Sequence, residues 1–381
     1  TEGKQARINK ISIVGNTKTN DNVIIREIRT VPGQLFSRAD LIRSQRELAN
    51  LRYFNQEKIG ITPKPNPVDG TVDIEFAVEE ASSDQLELSG GWGAGMVVGT
   101  IGVSFNNFST RKFFKKSAWR PIPSGDGQKI SIRAQSNGSY YQSYSASFTE
   151  PWLGGKKPNA LSISVYHSVQ SNGSSGDSRQ SIDINGISVS LTKRLKWPDD
   201  FFIFSQGVSF QNYTLNNYTS VFTFSDGYSN NLSYLISLGR NSVDKPTYPT
   251  SGSDLSLSLQ LTPPYSLFNK IDYTTATDQE RFKWLEYYKA KFQAYFYVNP
   301  IDKFVASLRF KTGYLGSYNR KVGDSPFERF YLGGDGLSGF ALDGRELIGM
   351  RGYSNNALTP TNVSNSFIGA TIFTKYTAEI R

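Results

Sequence analysis

The chain has 381 residues, with 42 Lys and Arg against 33 Asp and Glu, a net charge of +9 and no cysteine. The missing cysteine excludes disulfides, thiolate metal sites and a cysteine nucleophile, and the single His167 excludes a multi-histidine zinc site. No run of about 18 apolar residues occurs, which excludes a transmembrane helix but not a membrane, because a barrel strand needs only about 9–11 residues with every second one polar.

The N-terminus, TEGKQARINK, has no apolar core of a signal peptide, so the chain is expected to be mature or to start inside a longer protein. Residues 1–83 read as one small domain. Arg7–Val14 alternates as a strand. Thr19 or Asn20 can cap a helix carrying Val23, Ile24, Ile25 and Ile28. Ser37 can cap a second helix with Leu41, Ile42, Leu48 and Leu51 on one face. Phe54–Thr62 and Thr71–Val78 read as strands joined by the turn-rich PKPNPVDG. The expected order is β-α-α-β-β, an α+β domain of three strands and two helices.

From residue 84 the pattern has period two. Leu255, Leu257, Leu259 and Leu261 alternate with Ser256, Ser258 and Gln260. Phe304, Ala306, Leu308 and Phe310 alternate with Val305, Ser307, Arg309 and Lys311. Twelve strands are predicted: 85–94, 97–106, 128–137, 140–150, 159–170, 181–194, 201–214, 229–240, 253–262, 282–297, 304–316 and 367–381. A soluble sandwich and a wet-lumen barrel give the same alternation with the faces inverted. Strand length and connections favour an antiparallel transmembrane β-barrel. PWLGGKKP, KWPDD and NPIDK are short turns on one side, and the other side has longer loops, the longest at 317–366. Phe108–Gly127 is an exception, a long connection on the short-turn side. At Gly186 the alternation switches from Ile182 and Ile184 to Ile187, Val189 and Leu191, which reads as a bulge.

The densest basic cluster, Arg111, Lys112, Lys115, Lys116 and Arg120, reads as a solvated or lipid-headgroup-facing loop, with no nucleic acid expected. Gly333, Gly334, Gly336 and Gly339 lack the lysine and the strand-to-helix context of a phosphate loop. No Ser-His-Asp arrangement surrounds His167 and no carboxylate pair stands out. Neither an enzyme nor a cofactor is expected.

Three patterns remain: FERFYLGGDGLSGF (Phe327–Phe340) followed by Met350-Arg351-Gly352-Tyr353, FTEPWLGG (Phe148–Gly155), and RNSVDKPTYPTSGSDLSLSL (Arg240–Leu259). In this order, after a β-α-α-β-β domain, they resemble the BamA family of outer-membrane-protein assembly factors over essentially the whole chain. The first domain is similar to the last polypeptide-transport-associated (POTRA) domain of that family. Arg329, Phe330, Tyr331, Gly333 and Gly334 match its R-F-F-x-G-G segment, and Met350–Tyr353 its V-R-G-F segment, with Met for Val and Tyr for Phe. Glu150 stands where the family's F-T-D-P has Asp.

The resemblance implies a sixteen-stranded barrel, of which 84–381 holds about twelve strands and is incomplete at the C-terminus. It implies an outer-membrane barrel with a periplasmic POTRA domain. It also implies ATP-independent folding and insertion of β-barrel proteins by strand templating at a lateral seam, Gln85, Leu86, Glu87, Leu88, Ser89, Gly90, Gly91 and Trp92, followed by Gly93 and Gly95. Arg351 is expected to pair with the inward-facing Glu379. Expected partners are unfolded barrel clients, accessory outer-membrane lipoproteins, periplasmic chaperones and the bilayer, with the edge of the small domain as a β-augmentation site. The alternatives are an assembly factor of the TamA type and a two-partner secretion transporter that exports a single client.

Overall fold

In the computed structural model, residues 5–93, 96–119, 121–218, 222–245, 247–269, 271–301, 304–334, 345–362 and 366–381 are described. Contacts group Thr1–Leu88, Ile101–Ile132 and Ser147–Pro158 into one compact unit, and Ser89–Thr100, Arg133–Ala146 and Asn159–Arg381 into a second.

The N-terminal domain has the expected element order. It consists of β1 (Arg7–Val14), α1 (Asp21–Ile25), α2 (Arg38–Asn50), β2 (Gly60–Asn66) and β3 (Thr71–Ala77). The sheet order is β1-β3-β2, with β1 parallel and β2 antiparallel to β3. Ile8, Val23, Ile24, Leu48, Ile74 and Phe76 are buried together. Each such side chain contributes about 1.5–3 kcal/mol on leaving water. Ser37 caps α2 by accepting from the Asp40 amide at 3.3 Å. Three expectations change. Ile42 is exposed, because α2 buries Leu41, Ser44 and Leu48 instead. Phe54–Ile59 is not strand, since Asn55 accepts from the Glu57 amide and starts a 3-10 turn. Pro63 and Pro65 lie in β2, which leaves only residues 67–70 for the turn.

The second part is one open sheet of twelve strands: β4 (Gln85–Gly93), β5 (Met96–Phe108), β6 (Gln128–Asn137), β7 (Tyr141–Glu150), β8 (Asn159–Ser171), β9 (Ser181–Arg194), β10 (Phe202–Asn216), β11 (Gly227–Asn241), β12 (Gly252–Leu261), β13 (Tyr288–Ile301), β14 (Phe304–Gly316) and β17 (Ile372–Ile380). The short helix α3 (Asp278–Arg281) lies between β12 and β13, and β15 (Phe330–Leu332) and β16 (Glu346–Ile348) form a parallel pair in the longest loop. Strand order follows the sequence, so β4 and β17 are the two edges.

The tenth predicted strand starts at Tyr288 and not at 282. Thr277 and Glu280 form a capping box that starts α3, and Phe282, Leu285 and Tyr287 turn into a core. The twelfth starts at Ile372, because Ala370 is held to Phe330 by two backbone hydrogen bonds of 2.7 and 2.8 Å. No bulge occurs at Gly186, where the β9 register runs unbroken against β8 and β10. The switch in apolar parity has another cause. Ile182 and Ile184 face inward into a core built under the outer loops, whereas Ile187 and Val189 face outward and are exposed. Gly186 leaves room for the Tyr166 ring, which a Cβ would meet at 2.3 Å.

The side-chain pattern separates a barrel from a sandwich. Ile132, Val165, Val208, Leu257, Phe292 and Leu308 are exposed on one face, while Ser229, Asn231, Ser233, Ser307 and Lys289 are buried on the other. A soluble sheet would cover the apolar face. A bilayer is the solvent that makes this arrangement favourable. No helix among the described residues is long and apolar enough to cross a membrane.

Candidate functional site

Three regions carry the motif residues. The first is β4, which holds the proposed seam residues. Among the described residues its neighbour in the sheet is β5. Leu86 and Leu88 are each 73% exposed, and Gln85, Glu87, Ser89, Gly90 and Gly91 are exposed too. A Cβ on Gly91 would meet nothing within 4 Å. Crowding therefore does not require glycine there, and its effect is to remove side-chain pairing from an edge strand. Gly95 lies outside the described residues, as do Gly336 and Gly339.

The second region is the long outer loop, where the two sequence motifs meet backbone to backbone. Gly333 N–H donates to Ile348 O at 3.1 Å, Gly334 N–H to Ser354 O at 3.0 Å, and Met350 N–H to Gly334 O at 2.7 Å. Gly333 has φ +137° and its missing Cβ would sit 2.4 Å from Ser354 O. Arg329 ties the loop from inside, donating to the carbonyls of Ser325, Asp324 and Ile368 at 3.1–3.2 Å. Phe330 is fully buried and meets Phe373, just inside β17, edge-on at 4.7 Å. Gly333→Ala is therefore expected to loosen the loop by about 1–3 kcal/mol from strain alone. Limited proteolysis within 330–358 measures this, and protection equal to the parent chain would show that the clasp tolerates a side chain.

The charged centre of this loop differs from the expected one. Glu379 does not pair with Arg351. It accepts from Arg309 at 2.8 Å and lies 3.1 Å from Arg381. The cause is register, since Glu379 stands opposite Ser307, so Arg309 is its diagonal neighbour on the inward face. Arg351 and Gly352 are exposed at a turn where the Tyr353 N–H donates to Met350 O at 3.1 Å, and Tyr353 is 49% exposed. The residue of β17 that reaches the loop here is Lys375, whose ammonium donates to Gly349 O.

The ion pair that holds the loop was not singled out in the sequence. Lys289 on β13 has a side chain only 3% exposed, 3.1 Å from Glu328 and 2.7 Å from Glu346. Its ammonium also lies 4.7 Å from the centre of the Phe330 ring. Glu328 and Glu346 come from either side of the motif glycines, so one lysine ties both loop halves to the sheet. Lys291 adds a second contact to Glu346 at 3.1 Å. Beside it, Asn231 donates to Glu328 at 3.2 Å and accepts from the Tyr287 hydroxyl at 3.1 Å. The available signal was parity, which turns Lys289 and Lys291 to the polar face.

The third region lies in the first compact unit, around the FTEPWLGG motif. The Trp152 indole donates to Glu27 at 2.6 Å, and the Arg26 guanidinium sits 5.7 Å over its ring. Glu150 accepts from the Trp152 amide at 3.0 Å and from Gln128 at 2.7 Å, so the longer carboxylate still closes this turn. Asn20 donates to Asp126 at 2.7 Å, Arg26 to Asp126 O at 3.1 Å, and Tyr53 to Gly127 O at 3.2 Å. Burial pushes the Tyr53 hydroxyl up to about 12, against the pull of Arg26, so it stays a neutral donor. Burial also lowers Arg26, more than Glu27 and Glu150 raise it. Trp152 is thus a seat for α1, a role the sequence did not reveal.

The edges of the small sheet are poor templates for a partner strand. β1 is met by residues 33–36, with Ile8 N–H on Gln34 O at 2.9 Å and Phe36 N–H on Ala6 O at 2.9 Å. β2 carries Pro63 and Pro65, which have no N–H to offer. His167 lies on the outward face beside Asn185 at 2.8 Å. No group of three metal-ligating side chains occurs among the described residues.

Comparison with known proteins agrees with this architecture. The family model described as the Omp85 superfamily domain matches residues 124–381, and the POTRA model, described as surface antigen variable number repeat, matches residues 6–81. The outer membrane protein assembly factor BamA of Neisseria meningitidis serogroup B is 25% identical over 381 residues, covering 94% of this chain and 41% of that protein. BamA of Nitratidesulfovibrio vulgaris is 31% identical over 146 residues, 38% of this chain and 16% of that protein. The chain thus spans less than half the length of these relatives. The crystal structure of BamA from Haemophilus ducreyi lacking POTRA domains 1–3 superposes with a TM-score of 0.66 at 18% identity, covering 99% of this chain and 68% of that one. CdiB from Escherichia coli superposes with a TM-score of 0.51 at 12% identity, over 84% of this chain and 56% of that one.

Proposed function

The chain belongs to the Omp85 superfamily and, within it, to the BamA family of the outer membrane, and from that premise we propose that it takes part in folding and inserting β-barrel proteins into that membrane. The mechanism proposed is strand templating at β4. In lipid, an unpaired N–H or C=O costs several kcal/mol, so an open edge favours any incoming strand that can complete the ladder. Each strand added satisfies the one before it and leaves a new edge, so the process needs no nucleotide. The observation that supports this reading is the make-up of β4, the first strand of the sheet, with exposed leucines and a glycine whose neighbours do not require it. The proposed partners are unfolded barrel clients and the bilayer, with accessory outer-membrane lipoproteins and periplasmic chaperones. The relatives are named as assembly factors and not as enzymes.

The chain has no cysteine, so a single one at Leu86 or Leu88 gives a clean crosslinking probe. In the full-length protein it is expected to capture newly arriving barrel clients of several kinds. Capture of none would sink the templating reading. Capture of one secreted protein alone would replace it with export by a two-partner secretion transporter, the alternative reading of the sequence.

A further inference from the structure

The connection between β5 and β6 is long and two-natured. Its base is tied by the Ser109 N–H on Pro123 O at 3.0 Å, the Gly125 N–H on Asn107 O at 2.8 Å, and the Asp126 carboxylate on the Ser109 hydroxyl at 2.6 Å. Lys112 donates to Ser124 O at 2.8 Å and closes the loop across its width. On this base stand three rings. Phe113 meets Phe114 edge-on at 5.3 Å and Trp119 at 5.5 Å, and the Trp119 indole N–H donates to Phe113 O at 2.9 Å. The indole is satisfied inside the loop, yet Phe114 is 92% exposed, and Phe113 and Trp119 are nearly half exposed.

Around the rings lie Arg111, Lys115 and Lys116, all exposed, with Arg111 also 4.0 Å from the buried Asp126 carboxylate. Arg120 lies outside the described residues. A tip that holds apolar rings out in water beside exposed cations fits a surface with apolar depth and negative charge. Phe108 ends one barrel strand and Gln128 begins the next, so the loop is rooted at two strand ends. Leu153, Lys156 and Lys157 in the turn after β7 are exposed too and repeat the same composition.

We propose that this loop is an anionic-phospholipid anchor, with Phe113, Phe114 and Trp119 entering the headgroup boundary and Arg111, Lys115 and Lys116 binding phosphates. A protein partner is the competing occupant. It would have to supply a carboxylate-rich groove for three rings, whereas the loop is rooted at both ends in strands of the membrane-facing sheet. The anchor rests on the outer-membrane placement alone and is independent of strand templating.

The test uses the full-length protein reconstituted in phosphatidylcholine vesicles with or without phosphatidylglycerol. A fluorophore on Ser117→Cys reports depth through quenching by brominated lipid chains. Quenching is expected, stronger with brominated phosphatidylglycerol than with brominated phosphatidylcholine. Reversing Arg111, Lys115 and Lys116 to Glu is expected to erase that preference, since three cations at roughly fivefold each contribute on the order of a hundredfold to anionic-lipid binding. Phe114→Ser changes a fully exposed ring and cannot unfold the loop's base, yet it is expected to reduce quenching by both lipids. Absent quenching, or quenching indifferent to lipid charge and to all four substitutions, would overturn the anchor. So would protection of the label only when a periplasmic protein is added. Client capture at Leu86 in the same preparation reads the templating proposal separately.

Discussion

Replacing Lys289 by Met is expected to release the outer loop from the sheet, at a cost of about 3–5 kcal/mol, because it leaves two carboxylates facing each other without their shared cation. The Lys289 side chain is almost completely buried, and it joins Glu328 and Glu346 at 3.1 and 2.7 Å. Glu346 keeps Lys291, so the heavier penalty falls on Glu328, which keeps the neutral donor Asn231 but no cation among the described residues. The replacement also removes the cation from the Phe330 ring, worth about 0.5–2 kcal/mol more. Protease sensitivity of the loop and the thermal midpoint of the barrel would measure the loss. Adding Glu328→Gln to Lys289→Met should recover part of it, since the uncompensated charge is then gone. If the double variant is no more stable than the single one, the network is not what holds the loop. The outer-loop motif would then act through its glycines and Arg329 alone.

Trp152→Ala should free α1 of the N-terminal domain from its seat. The loss combines a charge-assisted hydrogen bond to Glu27, about 1.5–3 kcal/mol, with the stacking of Arg26 on the ring, about 0.5–1 kcal/mol. The ties to Asp126 and Gly127 remain, so the domain stays folded on its own core. The expected result is faster amide exchange over Asp21–Ile25 and residues 124–128, with unchanged exchange in α2. Trp152→Phe keeps a ring under Arg26 but loses the donor, and should give an intermediate effect. Identical exchange in parent, Phe and Ala variants would show that Trp152 only fills space at a strand end.

The position of Glu379 shows how far a sequence pattern reaches. Alternation turned Glu379 inward, and the structure agrees, but alternation says nothing about which cation on another strand stands beside it. That depends on the β14–β17 register, which puts Arg309 there in place of Arg351. Gly186 shows the same limit. A change of parity looks like an inserted residue when only one strand is visible. It is in fact a change of surroundings along an unbroken ladder, from lipid to the packed underside of the loops.

What the sequence determined alone was whatever repeats locally: the β-α-α-β-β order, the twelve strands within a few residues, their inner and outer faces, and the loop that carries the motifs. Period two, caps and turn residues act over a few positions, so they can be read without a fold. The tertiary structure alone decided the pairings across distance, namely Lys289 with Glu328 and Glu346, Trp152 with Glu27, and the motif glycines with Ile348 and Ser354. Each joins segments far apart in the chain, and a hydrogen bond or ion pair depends on a separation of about 3 Å that no local pattern encodes.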